Sequence, residues 1–266
     1  MYDNTCRFLA ENFSADFATW LLGKSVPLTT IQPSELLLDP ILADALIFME
    51  SEDTILHGEF QTLPNPNIPF RSLDYRVRLY RRDPTKSVRQ IVIYLKQTES
   101  ELAYQTRFEM DRTHHEFDVI RLWEQPASLL LQFPGLIPLA VLGQSEDAED
   151  TLRQATQRLE QIEDSETQAN LLAASGILAG LKLEEEVIYR LVRKDIMQES
   201  VIYRSIRREG EEIGEARGEV KKQREIAMNC LQRGDALEAI AQITGLSIAE
   251  IQQLQQQLSE SPQSKP

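Results

Sequence analysis

Two carboxylates and an amide stand where a hard cation could be held. Asp44 opens one predicted strand, residues 43–49, and Glu59 lies in the next, residues 54–62, two positions before Gln61. Strand side chains alternate between faces, so Glu59 and Gln61 lie side by side, and a cation bound by Asp44 and Glu59 would have Gln61 as its neighbour. That constellation suits Mg2+-dependent phosphodiester hydrolysis. The carboxylates hold the metal, the metal polarises the phosphate and lowers the pKa of a water, and a third polar group aligns that water. Carboxylates on neighbouring strands also occur with no metal, so residue type and spacing leave both readings open. His57 shares the predicted face of Glu59, either as a supporting or acid/base group or as an ordinary packed histidine.

Charge gives the second signal. The 266 residues carry a formal net charge of -14, which excludes a uniformly basic chain. Residues 71–96 reverse the sign: Arg71, Arg76, Arg78, Arg81, Arg82, Lys86, Arg89 and Lys96 stand against Asp74 and Asp83 alone. Such an island suits a polyanion, because neutralised phosphates release counterions, although a solvated helix face has the same composition. Cys6 and Cys230 are far apart, and His57, His114 and His115 are too few, for a disulfide framework or a zinc cluster. His114 and His115 precede a predicted strand and read as loop residues. No apolar run approaches the roughly 18–20 residues of a membrane-spanning helix, and residues 1–13 carry neither a basic nor an apolar signal segment. The expectation is a soluble, cytoplasmic protein with no membrane partner.

The elements that must position these groups follow from periodicity. Residues 3–22 have helical spacing, with Asp3 able to cap the first turn, Ser14 able to cap a second segment after a bend, and Gly23 as the stop. Three short strands are expected at 34–38, 43–49 and 54–62, separated by turn residues. Beyond the prolines at 64 and 66, Phe70, Leu73, Val77 and Tyr80 keep a three-to-four spacing, which predicts a helix over 68–82 with most of the basic block on its other face. Residues 88–95 form a β-branched run expected as a buried strand, and 104–110 and 116–123 read as further strands. The apolar, proline-broken segment 126–142 reads as packed loop and short helix. From residue 146 on, only helical patterns follow. Gly210, Gly214 and Gly218 each cost a helix up to about 1 kcal/mol, so 201–225 is expected to be a weak helix or a hinge. The tail to residue 258 reads as helix, turn, helix.

The segments ADALIF (43–48), ILHGEFQT (55–62), PFRSLDYRVRLYRR (69–82) and VRQIVIYL (88–95) together resemble the core of the Rpn family. These are recombination-promoting nucleases, also labelled putative transposases, in the PD-(D/E)XK nuclease superfamily. YDNTCRFLA (2–10), FATWLLG (17–23), HEFDVIRLWE (115–124) and the tail 227–254 with its ITGLSIAEI are similar to the long cyanobacterial form. The resemblance implies a restriction-endonuclease-like α/β core of αβββαβ order and a Mg2+-dependent DNA endonuclease, with Mn2+ as a substitute metal. It matches Asp44 to the metal-binding Asp, Glu59 to the acid of the (D/E)XK half-motif and Gln61 to the position of its Lys. It also implies the Phe60 carbonyl as a metal ligand. Arg71 and Tyr75 match a polar pair that approaches the phosphate or braces Gln61, and Asp3 and Glu11 are candidate extra acids. Ala45 and Gly58 depart from the commoner pattern, and Gly58 is expected to soften the strand carrying Glu59.

The expected organisation is a nuclease-like core over 1–125, a helical extension packed on or following it over 126–200, the charged helix or hinge 201–225, a small helix-turn-helix-like tail over 226–258, and disorder over 259–266. Arg76, Arg78, Arg81, Arg82, Lys86 and Arg89 are expected to track the DNA backbone with little sequence specificity. The second tail helix contains Glu250 and no Lys or Arg between 247 and 258, which favours protein interaction or a homo-oligomer over DNA reading. The competing function is a catalytically weak or inactive nuclease-fold protein that binds DNA or another protein.

Overall fold

A computed structural model of the protein describes residues 2–31, 46–192 and 200–260. The predicted strand at 34–38, and the start of the next with Asp44 and Ala45, lie outside the described residues. The chain divides into two compact units, residues 1–204 and 205–266.

Helices α1 (Tyr2–Asn12) and α2 (Ser14–Leu22) lead into a mixed sheet. The two-residue strand β1 (Thr29–Thr30), β2 (Leu46–Glu50) and β3 (Thr54–Gln61) pair antiparallel in that order. Helix α3 (Ile68–Arg82) then crosses over, which lets β4 (Ser87–Tyr94) lie parallel to β3. A hairpin of β5 (Arg107–Met110) and β6 (Thr113–Glu116) follows, and β7 (Asp118–Arg121) returns to the main sheet parallel to β4. The order β1-β2-β3-β4-β7 makes this an α/β architecture with a mixed five-stranded sheet and a helical C-terminal region. β2 and the second half of β4 are continuously apolar because they are covered on both faces. β3 lies between them and is buried from Thr54 to Phe60, so its polar His57 and Glu59 sit in the core.

The stretch 104–123 is organised differently from its expected pair of strands. Residues 101–104 form a 3-10 turn, Asp111 takes the left-handed φ of 44° that the hairpin tip requires, and His114 and His115 belong to β6 rather than a loop. Phe117 separates β6 from β7. Its N–H donates to the Thr106 carbonyl at 2.9 Å, and its ring joins Ile68, Val92, Tyr94 and Ala103 in the core.

α3 occupies its expected span, but the apolar stripe that reveals it is not the one it buries. Phe70, Val77 and Tyr80 are 56%, 47% and 61% exposed, while Ile68, Ser72, Tyr75 and Leu79 face the sheet. Both rows have helical spacing, and the sheet selects between them: Tyr75 and Leu79 complete a core of Ile31, Leu46, Phe48 and Ile55. The basic residues therefore flank the buried row instead of opposing it.

Phe60 points to the opposite side of the sheet and meets Phe17 of α2 edge to face, with ring centroids 6.3 Å apart. The bend between α1 and α2 falls at Phe13. Ser14 donates its hydroxyl to the Leu28 carbonyl instead of capping α2, and Gly23 ends the helix at φ 69°. Asp16 accepts the N–H of Gly135, fixing α2 to the buried 3-10 helix Pro134–Leu142 that follows the short α4 (Ala127–Leu130). Helices α5 (Ala148–Leu159), α6 (Ser165–Ala179) and α7 (Glu185–Leu191) complete the first unit, α5 and α6 against that 3-10 segment.

Helix α8 (Val201–Arg233) runs through Gly210, Gly214 and Gly218 without a break, so the backbone is continuous helix where a hinge was one expectation. In the second unit, Gly234 at φ 83° turns the chain into α9 (Leu237–Thr244), which starts at Leu237 rather than at Gly234-Asp235. Gly245 then leads to α10 (Ile248–Glu260). Ser247 and Glu250 exchange hydrogen bonds as a capping box at the start of α10. Ala227, Cys230, Ile240, Leu246, Ile251 and Leu254 close this small core. α10 continues through Glu260, past the expected onset of disorder at 259, and residues 261–266 lie outside the described residues. Among the described residues, no helix is long and apolar enough to cross a membrane.

Candidate active site

The alternation of β3 places His57, Glu59 and Gln61 on the face covered by α3. Glu59 is 1% exposed. Its Oε1 accepts Nε2 of Gln61 at 2.6 Å and pairs with the Arg71 guanidinium, one turn into α3. Its Oε2 is buried with no partner, and so is Nε of Arg71. A buried carboxylate oxygen left unmatched costs free energy, and either a hard cation or a hydrogen-bond donor would satisfy it. Gln61 gives an N–H to Glu59, which leaves its carbonyl oxygen as an acceptor on the same side.

Of the metal-ligating residues expected from the sequence, Glu59 is described with its surroundings and Asp44 lies outside the described residues. Among the described residues, no group of three or more His, Cys, Asp or Glu side chains converges as a metal site. The Gln61 main-chain carbonyl accepts Leu95 N–H on the β4 side, so alternation turns the Phe60 main-chain carbonyl towards the β2 side. Gly58, opposite Ile47, is filled space: a Cβ there would stand 2.6 Å from Cγ1 of Ile47. The missing side chain is replaced by that neighbour, so the strand is packed at the point where softness was expected.

His57 is a packed histidine. It stacks on Phe48 with ring centroids 4.8 Å apart and meets Tyr75 edge-on at 4.9 Å. The Gln90 side-chain nitrogen lies 2.9 Å from Nδ1 of His57 and donates to the Ser72 carbonyl at 2.8 Å. Nδ1 therefore accepts, and Nε2 carries the proton without a partner. Burial, reinforced by the Arg71 charge, lowers the His57 pKa to about 3. Tyr75 belongs to the same aromatic packing, and its phenol is pushed up by burial. Of the expected pair on α3, Arg71 reaches Glu59, whereas Tyr75 is core. Glu11 pairs with Arg7 of its own helix, and Asp3 lies in the first turn of α1.

The basic block is split. Arg82 makes a bidentate pair with Glu50 at 2.8 Å and Lys86 joins the same carboxylate at 2.8 Å, holding its pKa down to about 2. Arg78 pairs with Asp74, and Arg89 with Asp118. Arg76 turns to the β4 side and donates to the Val88 carbonyl at 2.7 Å, while Arg81 is exposed near the end of α3. These six do not form one cationic stripe. Sequence pattern did not reveal Glu50 as the hub of the block, nor Gln90 and Ser72 as supports under His57. A lone amide inside the run VRQIVIY was the available signal for Gln90.

Comparison with models of protein families, with curated proteins and with solved structures finds no match to this chain.

Proposed function

We propose that the chain is a cytoplasmic, Mg2+-dependent DNA endonuclease of the Rpn type, with little sequence specificity, acting in recombination or transposition. One observation carries the reading: Glu59, at the buried end of a central strand, keeps one carboxylate oxygen unpaired while Gln61 and Arg71 fix the other. The strand meander, the crossover by α3 and the parallel β4 are compatible with an αβββαβ nuclease core. The resemblance of segments 43–48, 55–62, 69–82 and 88–95 supplies the reaction class.

On this reading Asp44 and Glu59, with the Phe60 carbonyl, would hold the metal, which when bound would supply phosphate polarisation and a water of lowered pKa. Gln61 would orient a water through its side-chain oxygen, since an amide lacks the positive charge of Lys. Arg71, 35% exposed, could exchange its hold on Glu59 for a phosphate oxygen once a cation neutralises that carboxylate. The C-terminal helices serve self-association, which light scattering on the full chain would read as a mass above one protomer.

A second reading, a binding protein on a nuclease fold, is favoured by the guanidinium already seated on Glu59. Plasmid nicking separates the two, run with Mg2+, Mn2+ and EDTA beside Asp44→Ala and Glu59→Ala. Metal-dependent nicking abolished in both variants supports the enzyme. Equal inertness of all three proteins, with DNA binding retained, supports the binding protein.

A further inference from the structure

A polar pocket of about 600 Å3 opens between α3, the first half of β4, β7 and the β5–β6 hairpin. Arg76, Gln90, Thr106 and His115 line it, together with Arg89, Glu116 and Asp118. Arg76 and Arg89 match Glu116 and Asp118 in number, but the four charges are not placed alike. Asp118 is paired with Arg89 at 2.9 Å, and Glu116, on the exposed side, is 3.2 Å from His114. Arg76 uses one N–H on the Val88 carbonyl and, among the described residues, meets no carboxylate. Nε2 of His115 is buried without a partner. Burial and the Arg76 charge lower the His115 pKa, so its imidazole is neutral near pH 7. Gln90 is locked in place by His57 and Ser72. A fixed guanidinium beside an unpaired imidazole and the Thr106 hydroxyl presents convergent donors, which suits a tetrahedral oxyanion with several acceptor oxygens.

We infer that this pocket binds a phosphate group, with Arg76 as its anchor, and that its volume admits the nucleoside of a terminal phosphomonoester. The anion chemistry stands on the pocket alone, and the nucleic-acid source rests on the nuclease reading.

The test is calorimetric titration of the full chain in EDTA with thymidine 5′-monophosphate, thymidine and inorganic phosphate. Thymidine monophosphate should bind and thymidine should not. Arg76→Gln should weaken binding by about tenfold or more, the loss of a charge-assisted pair. His115→Ala, at a half-exposed residue, should weaken it by about threefold, and Arg153→Gln on α5 should bind as wild type. Tighter binding of the nucleotide than of inorganic phosphate supports a strand-end site, and equal binding supports a free-phosphate site. Absence of phosphate-dependent heat, or wild-type affinity in folded Arg76→Gln and His115→Ala, overturns the inference. EDTA silences metal-dependent cleavage, so failure here leaves the nuclease reading standing, and an inert plasmid assay leaves this site standing.

Discussion

Deleting the Arg71 guanidinium should harm the fold more than deleting the carboxylate it serves. Glu59 is 1% exposed, and among the described residues Arg71 is the only cation paired with it. Removing one member of a buried pair costs about 3–5 kcal/mol when the other charge stays buried. Arg71 is itself 35% exposed, so water screens part of the pair, and Arg71→Ala should cost roughly 2–3 kcal/mol. Glu59→Ala removes the buried charge and leaves Arg71 to turn towards water, at a cost of about 1 kcal/mol. The double variant should then resemble Glu59→Ala, giving a coupling of roughly 2 kcal/mol. Urea unfolding in EDTA at neutral pH measures all three, and Arg71→Ala should also lower the melting temperature by roughly 5–10 °C. Saturating Mg2+ should restore part of the loss in Arg71→Ala, because a cation on Glu59 replaces the guanidinium. An equal or greater loss in Glu59→Ala, or strict additivity, would refute the electrostatic account of this site.

Three further outcomes follow from the same geometry. Glu50→Ala releases Arg82 and Lys86 from their shared carboxylate, so DNA affinity should rise and the slope of log affinity against log salt should steepen by about 1–2; an unchanged slope means these cations do not face DNA. Burial holds His57 at about 3, below its ordinary 6.5, so the unfolded chain takes up a proton that the folded chain refuses. That contribution is complete above about pH 6.5 and declines as pH falls towards 3, by roughly 1.4 kcal/mol per pH unit. His57→Phe should flatten the urea midpoint between pH 7 and 5, and a wild-type slope in the variant would count against this assignment. Gly58→Ala should cost about 1–3 kcal/mol through collision with Ile47, and adding Ile47→Ala should recover part of it. Additive losses in that pair would show that the space is limited by something else.

The elements are largely legible in the order of amino acids. Turn residues bound β2 and β3, a β-branched run marks β4, and helical spacing marks α3 over its full span. Glu59 and Gln61 are legible as neighbours because strand alternation is local geometry, independent of what packs on the strand. The charge excess of 71–96 is equally plain, but its destination is not. Glu50, on another strand, draws Arg82 and Lys86 together across more than thirty residues, and no local pattern encodes that meeting.

What the sequence alone determined is the set of periodic elements and the types of residue they carry, since both follow from backbone geometry within a few residues. Tertiary structure alone decided which of two apolar rows on α3 is buried, and that Tyr75 and His57 are packing groups. It also decided that Arg71 serves Glu59, and that Arg76 leaves its basic neighbours for a pocket on the β4 side. The physical reason is common to all four. Burial and charge pairing depend on which surfaces meet, and a helix of given periodicity can present either face until the sheet beneath it selects one.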